Sequence, residues 1–286
     1  MAHTIIDKQN GELAFRLEHF RDLSQFDHLQ RKNHYSLIML QACEVKLLVD
    51  FSEYALAGSY MICLAPYQPH MLTSEETCSG VMLNFHPDFF CTYRHQNEVE
   101  TEGVLFHNFN QPPFFTLEQP DIFESLIAQM SREMEKNSLA QHEVLVAYLK
   151  IFLIEAVRQK RQFDQEHQRS ISGHQSEVLQ NLVDLIEAHF CEVHAPQEYA
   201  DKLCMSPKNL AKITRKYLNQ TLTDLIKRRI IVEAKRELYL TSKSVKEVSL
   251  QLGYQDEFYF SRLFKKRVGV SPDMYRKTVG FAKLES

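Results

Sequence analysis

The last hundred residues of the chain carry the same helical unit twice, and no other feature restricts its fold so tightly. The first copy runs Tyr199-Ala200-Asp201-Lys202-Leu203, turns through Cys204 and Met205, and continues as Ser206-Pro207-Lys208-Asn209-Leu210-Ala211-Lys212-Ile213. The second runs Val248-Ser249-Leu250-Gln251-Leu252, turns through Gly253, Tyr254 and Gln255, and continues as Asp256-Glu257-Phe258-Tyr259-Phe260-Ser261-Arg262-Leu263. A helix, a tight turn and a capped second helix with outward basic positions is the outline of a helix-turn-helix. Two copies joined by a helix outline a device that reads two neighbouring grooves of DNA.

Local signals place each element. Pro196 suits a first helical position, Ser206 an N-cap with Pro207 behind it, and Gly253 the left-handed residue that ends a helix. Thr221 with Asp224, and Ser244 with Glu247, read as start signals for two further helices. Leu222, Ile226, Ile230, Ala234 and Leu238 recur every four residues along a connecting helix that lasts to about Leu240. At ~1.5 Å per residue it is a rod of ~30 Å, near the ~34 Å between successive major-groove faces. Helix-turn-helix one is expected over about 196–217, the connecting helix over about 221–240 and helix-turn-helix two over about 244–267. In the first, Lys208, Asn209, Lys212, Arg215 and Lys216 are left facing outward. In the second, Arg262 suits the O6 and N7 of guanine, while Lys265, Lys266 and Arg267 suit phosphates, as do Arg215 and Lys216.

The run from Gly253 to Pro272, followed by Tyr275-Arg276, resembles the signature of AraC/XylS-type bacterial transcription regulators, over roughly residues 178–278. The resemblance implies a seven-helix module with two helix-turn-helices, usually in an activator that works with RNA polymerase at promoter DNA. It places base-reading positions on Lys208, Ala211 and Lys212 in the first unit, and on Glu257, Phe258, Ser261 and Arg262 in the second. Thr214 and Asn219 stand where the family often has Phe and Gly, which would pack the first unit less rigidly. Phe258 replaces a small or polar residue; it either touches a thymine methyl or rests against the protein.

Charge divides the chain in the same place. Residues 176–286 hold 19 Lys and Arg against 14 Asp and Glu, whereas residues 1–175 hold 14 against 23, so the net −4 averages a basic part with an acidic one. Such asymmetry hints at a polyanion-binding part. The six cysteines show no metal or disulfide spacing, and no apolar run is long enough to span a bilayer, so a reducing bacterial cytoplasm is expected.

The whole chain reads as multidomain α+β, its first half built of strands and two helices ahead of this all-α part. Short strand-like runs lie at Tyr35–Leu40, Glu44–Asp50, Tyr60–Leu64 and Gly80–Phe85, broken by Gln41 and by turn residues such as Gly58-Ser59. They predict a β-sandwich or barrel. Helices follow from about Gln119 to Lys136 and Leu139 to Phe163. The second is apolar on nearly all sides, which predicts cover on two sides: by its own sheet, and by a second subunit in a homodimer, the alternative being packing entirely within one chain. Residues 164–176 are polar and predict a linker. The division expected is a sensor domain over 1–116, a helical dimerisation segment over 117–163, and a DNA-binding domain over 177–286.

The strand pattern with Pro66-Tyr67-Gln68-Pro69-His70 is similar to the cupin-like sensor domain of the same family, which implies a small-molecule effector, dimerisation, or both. His34, Tyr35, Met61 and His70 are candidate effector-binding residues. His34, His70, His86 and His95 raise the alternative of a metal-dependent cupin enzyme fused to a DNA-binding module; a constitutive dimer without effector is a further alternative. The compact H-x-H pair of metal cupins is missing, so no catalytic residue, metal or cofactor is expected.

Overall fold

Strand β3 (Tyr35–Val49) sends alternate side chains to opposite faces of one antiparallel sheet, and both faces are covered. The computed structural model describes residues 2–7, 11–92, 103–136, 139–169 and 173–279; His95, residues 170–172 and those after Val279 lie outside the described residues. The other strands are β1 (Ala2–Ile6), β2 (Leu13–Phe20), β4 (Ser52–Leu64), β5 (His70–Thr73), β6 (Gly80–Phe85) and β7 (Phe114–Thr116). Among the described residues their order is β1-β2-β6-β3-β4-β7, with β5 also paired to β3.

Leu37 and Met39 of β3 and Leu83 and Phe85 of β6 join a core with helices α1 (Pro120–Glu135) and α2 (Gln141–Arg169). Ile38 and Leu40, pointing the other way, join Phe26, Leu64 and Leu72. Two-sided burial explains the unbroken apolar run over 37–40.

Four expectations change. Strands β1 and most of β2 precede Phe20, where no strand was expected. The runs on either side of Gln41 are one strand. Residues 35–40 pair with β6 and residues 46–49 with β5, so the polar residues mark a change of partner rather than a break. Gln41 itself stays tied, its N–H donating to Ser79 O at 3.1 Å. Likewise β4 runs through Gly58, which takes φ +121°, a conformation open to glycine.

The fourth concerns α2. Leu145, Leu149, Phe152, Leu153 and Ala156 all enter the first core, and Phe123 of α1 meets Phe152 at 4.8 Å between ring centroids. This helix is thus buried against the sheet and α1 on one face and leaves Ile151 47% exposed. It also continues to Arg169, so the first six residues of the expected linker are helical.

Chain contacts divide the protein into two compact units. One comprises residues 1–49, 53–108 and 113–164, and the other residues 165–286 with 50–52 and 109–112. The second unit holds α3 (His174–His189), α4 (Pro196–Lys202), α5 (Pro207–Leu218), α6 (Leu222–Leu240), α7 (Val245–Gln251), α8 (Glu257–Val268) and α9 (Pro272–Val279). Leu222, Ile226, Ile230, Ala234 and Leu238 of α6 are buried as their spacing predicts. So are Leu225, Ile231 and Tyr239 off that stripe, because α6 touches α3, α4, α5, α7 and α9.

Candidate nucleic-acid interface

The two copies of the unit fold by the same local chemistry. After α4, Cys204 takes φ +52°, and Met205 N–H reaches Ala200 O at 2.9 Å. After α7, Gly253 takes φ +81°, and Tyr254 N–H reaches Ser249 O at 2.9 Å. Ser206 then accepts from Asn209 N–H at the start of α5, and Asp256 from Phe258 N–H at the start of α8.

The repeat extends further than its sequence pattern suggests. Asn219 ends α5 at φ +52° and Gly269 ends α8 at φ +96°, both left-handed. Two residues on, Thr221 caps α6 and Ser271 accepts from Met274 N–H at the start of α9. Each unit is therefore three helices, with Leu225 and Tyr275 buried at matching places. Asn219 fills the glycine position without losing the cap, as asparagine is the other residue that tolerates it. Thr214 is fully buried, its hydroxyl donating to Ala211 O at 3.1 Å.

Leu210 and Thr214 anchor α5 inward, as Phe260, Phe264 and Val268 anchor α8. Lys208, Asn209, Lys212, Arg215 and Lys216 remain exposed and, with half-buried Ala211, line one surface depression. The first turn of α5 carries no acid. On α8, Phe258, Arg262, Lys265 and Lys266 are exposed while Glu257 and Ser261 are half-buried. Phe258 is 74% exposed, so its ring does not rest against the protein. Arg262 is 71% exposed and stands 3.9 Å from its own cap, Asp256. The two faces differ in kind: the charges on this face of α5 are all cationic, beside Asn209 and Ala211, whereas α8 mixes cations with Asp256, Glu257 and an aromatic ring.

Arg267, expected at a phosphate, is engaged within the protein. Its side chain is 15% exposed, and its Nη2 lies 2.6 Å from Asp224 Oδ1 in the first turn of α6. Burial pushes the Asp224 carboxyl up, but the Thr221 hydroxyl and Arg267 outweigh it and hold the group below the usual carboxylate range. The matching position in the first unit is Tyr217, whose hydroxyl bonds Gln175 of α3 instead. Sequence reading missed the Arg267–Asp224 pair because the partners lie 43 residues apart.

The candidate effector residues separate into two environments. Tyr35 and Met61 lie in the first core of the sheet unit. The Tyr35 hydroxyl bonds Thr92 Oγ1 at 2.9 Å, and its ring packs on Phe106 at 4.6 Å and Phe85 at 5.0 Å. His70 is buried in β5, with Nδ1 2.9 Å from Gln68 O. His34 is half-buried. Burial, then the charges of Lys32, His86, His70 and Arg16, bring it down to about 3. His86 stands between Glu12 at 3.7 Å and Asp88 at 3.3 Å. Among the described residues, no three His, Cys, Asp or Glu are placed to hold a metal ion. Nor is any helix there long and apolar enough to cross a membrane. Cys43, Cys63, Cys78 and Cys91 are buried free thiols.

A helix-turn-helix domain family matches residues 199–278. The regulatory protein SoxS of Escherichia coli is 30% identical over 99 residues, which is 35% of this chain and 92% of SoxS. The transcriptional activator AarP of Providencia stuartii is 26% identical over 110 residues, 38% of this chain and 82% of AarP. The chain spans 41% of the length of the Escherichia coli transcriptional regulator YkgA, at 31% identity over 99 residues.

Proposed function

Because the chain belongs to the AraC/XylS family of transcription regulators, we propose that it binds promoter DNA sequence-specifically and activates transcription with RNA polymerase. The observation that carries this is the pair of capped helices, α5 and α8, each presenting exposed side chains at matching positions on one shared scaffold. Lys208, Ala211 and Lys212, with Glu257, Phe258, Ser261 and Arg262, read bases in successive major grooves. Arg215, Lys216, Lys265 and Lys266 bind phosphates. The name of AarP, a transcriptional activator, supports the direction of control.

The sheet unit is the cupin-like sensor in this reading. It takes a small-molecule effector, and the chain works in the cytoplasm as a homodimer without catalysing a reaction. Ile151, 47% exposed on α2, supports an association surface there. Genome-wide mapping of bound sites tests the proposal. Recovery of a recurrent motif upstream of genes, relaxed at one base pair by Arg262→Ala, is the expected result; binding without any motif overturns it.

A further inference from the structure

We infer that the segment from Phe190 to His194, between α3 and α4, is a brace that fixes the register of the two recognition helices. It thereby sets which spacing between two DNA boxes the chain accepts. The inference rests on the DNA-binding reading above and adds a positioning role for residues that touch no DNA.

Four contacts tie this segment to three different parts of the helical unit. The Arg229 guanidinium of α6 lies 3.9 Å above the Phe190 ring, and it also pairs with Glu187 at 2.7 Å and Glu233 at 3.1 Å. Val193 O accepts from the Tyr199 hydroxyl of α4 at 2.9 Å, which joins the segment to the first helix-turn-helix. Cys191 O occupies the space beside Gly253, where an added Cβ would stand 2.1 Å from it. The His194 ring stacks on Tyr254, with centroids 4.6 Å apart and planes 28° from parallel. Tyr254 in turn meets Tyr259 at 5.8 Å and Phe260 at 5.6 Å, in the first turns of α8. His194 Nε2 is buried without a hydrogen-bond partner, a penalty that the stacked position must offset.

The segment therefore spans from the first reading head, across the connecting helix, to the turn that aims the second. Without it the joint to that turn loses its contacts from the α3 side. One added base pair moves the second box by ~3.4 Å and rotates it by ~34°. A braced pair of helices cannot follow that change and must release one box. A loosened pair can follow it.

The experiment uses the full chain. Selection from a random double-stranded DNA pool first yields the preferred two-box site. Binding is then measured on that site and on versions with one base pair inserted or removed between the boxes, for wild type, His194→Ala and His194→Phe. Wild type is expected to lose affinity on the altered sites by on the order of tenfold, as one box is forfeited. His194→Ala is expected to shrink that penalty to about threefold or less, and His194→Phe, which keeps the stack, to restore it. Gly253 is left intact, since a Cβ at φ +81° strains the turn itself. An unchanged spacing penalty in His194→Ala overturns the brace. So does an equal loss on every spacing, which marks a structural role alone. Failure of wild type to select any sequence overturns the DNA-binding reading instead, and the brace with it.

Discussion

Arg267 closes on Asp224 at 2.6 Å, joining the last turn of the second recognition helix to the first turn of the connecting helix. Its charge is engaged inside the protein, unlike that of its neighbours Lys265 and Lys266. Arg267→Ala is expected to destabilise the chain by about 1–2 kcal/mol, between the ranges for exposed and buried pairs. The slope of log affinity against log salt is expected to stay as it was. Lys265→Ala is expected to do the reverse, leaving stability alone and lowering that slope by about 0.9. Urea unfolding together with salt-dependent binding checks both; a salt slope reduced by Arg267→Ala would return that residue to the phosphate contacts.

Arg262 is held only loosely by Asp256, so its guanidinium is available to a guanine edge. Arg262→Ala is expected to cost about 1–3 kcal/mol of binding and to relax preference at one base pair. Lys212→Ala, at the matching place on the face of α5 whose charges are all cationic, is expected to weaken a panel of operator variants more evenly. Equal loss of base preference in both variants would refute the division of labour between the two units.

Phe258 gives a cleaner separation of fold from recognition, because its ring is largely in solvent. Phe258→Ala is expected to change unfolding free energy by about 0.5 kcal/mol or less. It is expected to lower affinity for sites with a thymine opposite the ring, and not for the same sites with uracil there, which lacks the methyl. Identical losses on both would remove the methyl contact.

Asn219 tests whether the first unit is weakly built. At φ +52° it already supplies the left-handed cap, so Asn219→Gly is expected to be neutral or slightly stabilising. Asn219→Ala is expected to cost about 1 kcal/mol, because alanine pays the steric penalty without a compensating side chain. Thermal unfolding distinguishes the two; equal effects would mean that the cap conformation is not retained in solution.

The His34 imidazole, brought down from 6.5 to about 3, is neutral in the fold over the window between those values, where it would be charged in the unfolded chain. Between pH 6.5 and 3 the unfolded state therefore binds the extra proton. Stability is present near neutrality and lost on acidification, approaching about 1.4 kcal/mol per pH unit. Urea midpoints at pH 7 and pH 5 are expected to fall more for wild type than for His34→Gln. Parallel falls would show that another group carries the acid sensitivity.

The helical unit was legible residue by residue because its signals are local. Ser206, Thr221, Ser244 and Asp256 each accept from a backbone N–H within three residues, so the chain states its helix starts where they occur. The sheet was less legible. Gln41 looks like a break because its polarity is visible and the change of partner from β6 to β5 is not. The surroundings of the effector candidates were hidden in the same way: Tyr35 and Met61 share a core with residues of distant strands and with Phe106, and nothing near them in sequence says so. Arg267 resembled its basic neighbours until Asp224 was brought beside it.

One helix, α6, completes both three-helix units. Its first turn matches α9 in the repeat, yet its length also carries the side chains against which α7 and α9 pack. The two reading heads thus share a wall instead of standing on separate foundations. A cut before α6 would take the third helix from the first unit, and a cut after it would take from α7 and α9 the helix they pack on.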